Sequence, residues 1–94
     1  MAIVSFADGR TEAFFHAGTC PAAWTTFERV ARRKLDILDA ATSLANLRSP
    51  PGNRLHALKG DRKGQHGIRI NDQWRVCFIW TDDGPENVEI VDYH

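Results

Sequence analysis

Side chains of the kinds that phosphate chemistry uses gather in the second half of the chain. His56 stands three residues before Lys59, and Asp92, Tyr93 and His94 follow one another after the alternating segment that carries Arg75. Cleaving RNA without a metal needs a group to take the proton from a 2′-hydroxyl, a group to protonate the departing 5′-oxygen, and cations for the charge that develops on phosphorus. Imidazole changes protonation near neutral pH, so His56 and His94 suit the proton transfers. Arg75 and Lys59 suit the phosphate, because charge-assisted hydrogen bonds to phosphate oxygens are strong.

The placement of charge supports the same chemistry. Twelve bases balance twelve acids over the chain, yet seven of the bases (Arg48, Arg54, Lys59, Arg62, Lys63, Arg69 and Arg75) fall in one stretch against only Asp61 and Asp72. The rest of the chain is correspondingly acidic. A segregated basic stretch is the footprint of a protein that meets phosphates, although a solvated charged face has the same composition. Other uses of these residue types fit poorly. His16 and Cys20 stand four apart without a second half, so no zinc framework is expected, and neither is a cofactor. Gly60, Gly64 and Gly67 lie too far from any following helix for a nucleotide-binding turn. Two cysteines, Cys20 and Cys77, are too few to read as a disulfide framework.

The elements that must position these groups belong to one domain. Ninety-four residues, 43% hydrophobic and 26% charged, leave material for a single core, so residues 1–94 are read as one unit. No apolar run approaches the ~20 residues of a membrane span. Asp8, Arg10 and Glu12 interrupt the first fifteen residues, so no secretory segment is expected and the expected compartment is the cytoplasm. Ile3 to Phe6 predicts a strand, Asp8 and Gly9 the start of a short helix to about His16, and Gly18 its end. Pro21 opens a second helix, in which Trp24, Phe27, Ala31, Leu35 and Leu38 form one apolar stripe. Leu44 and Leu47 belong to a short helical piece, and Ser49 to Asn53 form a connector that cannot continue a helix. The period then drops to two: Ile68 and Ile70, then Trp74, Val76, Phe78 and Trp80, then Val88 and Ile90, predicting three consecutive strands.

Turns at Asn71 and Asp72, and at Asp82, Asp83, Gly84 and Pro85, make an antiparallel meander. The expected class is α+β, an N-terminal strand and two helices packed on one face of a small, mainly antiparallel sheet. Pairing about those turns sets Arg69 opposite Arg75 and Arg75 opposite Tyr93, on the face away from the apolar row. Two arginines directly across from each other repel, so an anion between them would make sense of the pair. Gly67 in mid-strand points to a bulge or a close approach.

The run PPGNRLHALKGDRKGQHGIRIND from Pro50 to Asp72, then QWRVCFIW from Gln73 to Trp80, then VEIVDYH from Val88 to His94, resembles the HigB toxins of the RelE superfamily. The N-terminal half agrees in element order and in its amphipathic second helix. The resemblance implies a RelE-like fold and the toxin of a bacterial type II toxin-antitoxin module, a ribosome-dependent endoribonuclease that cuts messenger RNA in the decoding site. Attack by the 2′-hydroxyl would leave a cyclic phosphate and a 5′-hydroxyl, without a metal.

The implied partners are the ribosome and its messenger RNA, and a small HigA-like helix-turn-helix antitoxin through which alone operator DNA is met. His56, Lys59, Arg62, Arg75, Asp92, Tyr93 and His94 fall on motif positions associated with catalysis or RNA contact. The implied roles are His94 or Asp92 as general base, His56 as general acid, Arg75 and Lys59 as phosphate clamps, and Tyr93 orienting or stacking. Arg54, Lys63 and Arg69 join Lys59 and Arg62 as expected RNA or ribosome contacts. His66 and Gly67 stand where many relatives carry an aromatic and a small polar residue, which implies a stacking contact either weakened or taken over by imidazole and leaves codon preference open. The alternative is a catalytically weak member that acts as a ribosome- or antitoxin-binding module in promoter autoregulation.

Overall fold

A computed structural model describes residues 2–93. Two helices, α1 (Gly9–Ala17) and α2 (Glu28–Ala40), pack on one face of a four-stranded sheet built from β1 (His56–Ala57), β2 (His66–Arg69), β3 (Trp74–Thr81) and β4 (Gly84–Asp92). The strands lie in sequence order and every neighbouring pair is antiparallel. The α+β class holds. Among the described residues no helix is long and apolar enough to cross a membrane.

The first helix begins where Asp8 accepts a 2.7 Å hydrogen bond from the Thr11 amide, which satisfies one of the four donors a helix start leaves open. It ends at Gly18, whose φ of 76° is the left-handed turn that glycine adopts without a side-chain clash. The second helix differs from its expected form. From Ala22 to Phe27 the chain is a 3-10 helix, and α-helical geometry begins only at Glu28. In the tighter helix residues three apart eclipse one another, so Trp24 and Phe27 both face the core. Ala31, Leu35 and Leu38 continue that stripe and are buried as expected. They meet Ile68, Val76, Phe78, Val88 and Ile90 from the sheet in one apolar cluster.

Lys34 breaks the expected pattern. It is 5% exposed, and its Nζ donates to the side-chain oxygen of Asn53, which is fully buried. Asn53 in turn donates to the Leu47 and Ser49 carbonyls at 3.1 and 3.2 Å. A buried polar group must find partners, and this network clamps the proline-rich connector onto α2.

The sheet corrects three further expectations. The N-terminal strand is reduced to one parallel bridge, Phe6 to Val88, flanked by the bonds from Val4 to Pro85 and from Val88 to Ser5 at 2.8 and 3.0 Å. An additional edge strand, β1, pairs His56 with Gly67 and Ala57 with His66, and two residues are too short to show a period. Arg69 does pair with Arg75, but Arg75 faces Val91 rather than Tyr93. The reason is the second turn, offset by one residue at the irregularity opposite Phe78. It closes over Asp82 and Asp83 alone, with Thr81 paired to Gly84 and the Thr81 hydroxyl donating to the Gly84 carbonyl at 2.7 Å, so Gly84 and Pro85 already belong to β4. Gly67 marks a close approach: a Cβ there would stand 3.4 Å from Leu58 Cδ2. The irregular pairing lies between β3 and β4 instead, where Phe78 alone stands against Asn87 and Val88, and Asn87 takes a left-handed φ of 52°.

Candidate active site

The helices cover one face of the sheet and leave the other to carry chemistry. Side chains alternate along a strand, so cross-strand partners His56, Gly67, Cys77 and Glu89 form one row on the uncovered face, and Arg69, Arg75 and Val91 the next. Leu58 folds down over the gap left by Gly67 and is itself buried. Arg62 spans from its loop to β4, donating to Gln65 and to Glu89 at 3.1 Å each. Together these make a firm floor. Cys77 lies within it, fully buried, and burial pushes its thiol up to about 11, so it stays a neutral thiol at physiological pH and does not serve as a nucleophile.

His56 and Tyr93, 37 residues apart, converge above this floor with ring centroids 6.5 Å apart. His56 sits on the exposed edge strand, where its Nδ1 lies 3.0 Å from the Arg54 carbonyl. A carbonyl only accepts, so Nδ1 carries the proton and Nε2 is the nitrogen left for a substrate. Arg54 itself adopts a left-handed φ of 47°, held by its amide donating to the Pro51 carbonyl at 3.2 Å. The chain from Lys34 through Asn53 thus ends at the backbone that orients His56. Tyr93 is placed by its amide, which donates to the Gln73 carbonyl at 2.9 Å, and the Gln73 side chain donates to Asp92 at 2.8 Å. Gln73 was not among the expected site residues. Its position opposite the end of β4 becomes visible only once the register is known.

The cations divide into two sets. Arg69 pairs with the exposed Asp72, and Arg75 donates to the Asn71 and Trp74 carbonyls, so the repulsion expected between the two arginines is met by the β2–β3 turn itself. Arg62 is committed to Glu89. Arg54, Lys59 and Lys63 are exposed, and among the described residues none pairs with a carboxylate. His94, expected as a base or acid, lies outside the described residues. Among the described residues no group of three or more His, Cys, Asp or Glu side chains could hold a metal ion.

A helix pair on one side of an antiparallel meander, with polar groups collected on the other, is the architecture of the RelE/ParE class of small toxins. The whole chain superposes on a solved YoeB/ParE toxin from Agrobacterium tumefaciens with a TM-score of 0.53, covering 100% of this chain and 99% of that one at 19% identity, a likeness of fold. The family model for the HigB-like, RelE-like toxin of type II toxin-antitoxin systems matches residues 4–94, and the chain belongs to that family. It is 48% identical over 58 residues to Toxin HigB-1 of Vibrio cholerae, covering 62% of this chain and 61% of that protein. It is 33% identical over 61 residues to Endoribonuclease HigB of Proteus vulgaris, covering 65% of each. The matched stretch therefore spans less than two thirds of either curated relative.

Proposed function

We propose that this toxin is a ribosome-dependent endoribonuclease that cuts messenger RNA without a metal and is neutralised by a cognate helix-turn-helix antitoxin. The observation that carries the reading is the convergence of His56 and Tyr93, with ring centroids 6.5 Å apart, on the face of the sheet that the helices leave uncovered and that also carries Arg75. The name of the Proteus vulgaris relative, an endoribonuclease, agrees with it.

In the proposed reaction the 2′-oxygen attacks phosphorus and the bond to the 5′-oxygen breaks. The 2′-hydroxyl proton passes to Asp92 or His94. Protonated His56, its Nδ1–H held by the Arg54 carbonyl, gives its Nε2 proton to the departing 5′-oxygen. The products are a cyclic phosphate and a 5′-hydroxyl. Lys59 and Arg75 stabilise the charge on phosphorus, and Tyr93 orients the strand by stacking. Arg54 and Lys63 extend the cationic surface along the RNA or the ribosome. The reaction belongs to the cytoplasm, where translating ribosomes are, and operator DNA is met only through the antitoxin.

The test is induction of the chain without antitoxin, with messenger RNA 5′ ends mapped before and after a block of translation initiation, and His56→Ala and His94→Ala as controls. Cuts accompanied by growth arrest, lost under the block and in the variants, are the expected result. Soluble protein that makes no cuts overturns the proposal and favours a binding module.

A further inference from the structure

The acidic part of the chain has no role in the reaction proposed above. No Lys or Arg occurs in residues 2–9, in residues 35–47 or anywhere after Arg75. These three stretches meet at the edge of the sheet formed by β4. The segment before α1 runs parallel to β4 there, with the Val4 amide donating to the Pro85 carbonyl at 2.8 Å and the Ala7 amide to the Val88 carbonyl at 3.0 Å. At its start the Ile3 amide donates to Asp39 of α2 at 2.9 Å. Asp36 stands three residues before Asp39 on the same helix, and Asp82, Asp83 and Glu86 belong to the turn and strand beside Val4. Among the described residues none of these five carboxylates forms an ion pair.

The outer side of that segment is open. Ser5 and Ala7 both bond to Val88, so the Phe6 N–H and carbonyl between them point away from β4, and neither makes a hydrogen bond among the described residues. Val4 is 49% exposed, and no other large apolar side chain among the described residues is left so open. Proteins ordinarily blunt such an edge with Lys, Pro or a covering element, because unpaired strand groups recruit another strand. Residues 2–7, AIVSFA, carry neither a charge nor a proline.

We propose that this edge takes an extended, Lys- or Arg-bearing segment of a partner protein as an added strand. Main-chain bonds to Phe6 supply the pairing, an apolar side chain of the partner covers Val4, and its bases meet the carboxylates of α2 on one flank and of the β3–β4 turn on the other. A second copy of this chain fits less well, since two such edges set acid against acid. RNA is turned away by the same charge. His56 stands on β1, at the opposite edge of the sheet, so the docking edge is separate from the candidate active site and the inference does not depend on the nuclease reading.

The experiment adds short synthetic peptides to the full chain and follows backbone amide shifts by NMR. A peptide alternating Val with Lys should give saturable shifts at Val4, Ser5 and Phe6 that weaken as salt is raised. Its Val–Glu counterpart, and a fully N-methylated Val–Lys peptide that has no amide to donate, should give none. The double variant Asp82→Lys with Glu86→Lys should weaken the Val–Lys peptide about threefold or more, the sum of two small surface pairs lost and reversed, and admit the Val–Glu peptide. Val4→Lys, which puts a charge on the edge itself, should also weaken the Val–Lys peptide. Unchanged shifts of the core residues Val76 and Phe78 show that both variants fold. No shifts at this edge, equal shifts with the Val–Lys and Val–Glu peptides, or full binding by both variants overturns the inference. A dimer that forms through this edge without peptide, read by sedimentation and by concentration-dependent shifts at Val4, overturns it in favour of a second copy.

Discussion

Removing Asn53 tests the claim that a buried lysine anchors the segment that orients His56. In Asn53→Ala the Lys34 ammonium loses its acceptor, and the Leu47 and Ser49 carbonyls lose their donor. Lys34 is only 5% exposed and Asn53 0%, so water does not simply take over. Each buried group left unpaired costs about 1–3 kcal/mol, and a charged one lies at the upper end. We therefore expect Asn53→Ala, which unpairs the ammonium and two carbonyls, to lose about 3 kcal/mol or more, a large part of the ~5–15 kcal/mol typical of a domain.

Lys34→Met keeps most of the side-chain volume and removes the charge itself, so it should cost about 1 kcal/mol. The double variant should then cost less than the two single losses together, since there is no ammonium left to strand. Equilibrium urea unfolding followed by tryptophan fluorescence reads all four proteins. Asn53→Ala within about 0.5 kcal/mol of wild type, or Lys34→Met as damaging as Asn53→Ala, would refute the reasoning. pH gives an independent check. Burial pushes the Lys34 pKa down, with Arg33 and Arg69 adding to the shift. Just below the ordinary lysine value the unfolded chain then holds more protons than the native one, so Lys34 makes stability rise with pH there, and Lys34→Met should remove that rise.

Three further outcomes follow from the same geometry. The raised Cys77 thiol keeps its proton in the native chain while the unfolded thiol loses it, so stability is full below the ordinary value of 9.0 and falls as pH rises toward about 11; unfolding midpoints measured across that range should fall less steeply in Cys77→Ala, and an identical slope counts against the burial. Asp8→Ala removes the cap of α1 and should cost about 1 kcal/mol, or roughly 4–8 °C in Tm, by calorimetry; an unchanged Tm would mean that the helix start finds its partner elsewhere. In ribosome or RNA binding measured over a range of salt, Lys59→Ala and Arg54→Ala should each flatten the salt dependence by about 0.7 per lost phosphate contact, while Arg62→Ala should leave the slope and lower the unfolding midpoint. A flattened slope in Arg62→Ala alone would reverse that assignment.

The spacing of apolar residues made most of the fold legible. The stripe from Trp24 to Leu38 and the alternation through Ile68, Val76, Phe78 and Ile90 reach the core as expected, because burial is a property of pattern. What escaped was set by individual hydrogen bonds. The two-residue turn over Asp82 and Asp83 moved Tyr93 away from Arg75, and β1 is too short to alternate. Lys34 falls between Ala31 and Leu38 on the apolar side of α2, a position a lysine holds only with a buried partner, and it could have pointed to Asn53. The meeting of His56 with Tyr93 matched the chemistry of their side chains, whereas the role of the Arg54 carbonyl belongs to the backbone and leaves no mark in residue type.

The basic stretch shows why a count of charges overstates a binding surface. Arg62 and Glu89 are each roughly a quarter exposed in their side chains, so their pair is shielded from solvent and serves to seat the loop over Cys77. Binding a phosphate with Arg62 would first strand Glu89 against the floor of the site, a cost a free cation does not meet. Arg69 is bound less firmly, because its partner Asp72 is 99% exposed and such pairs contribute little, so an incoming phosphate can take Asp72's place. Arg75 donates to the Asn71 and Trp74 carbonyls, stands opposite Val91 and pairs with no carboxylate among the described residues. Of the basic stretch, Arg48, Arg54, Lys59, Lys63 and Arg75 therefore pair with no carboxylate among the described residues, Arg69 is loosely held, and Arg62 is tied down by a shielded acid. In the proposed reaction an RNA strand meets the first of these sets and passes its phosphates over His56 and Tyr93.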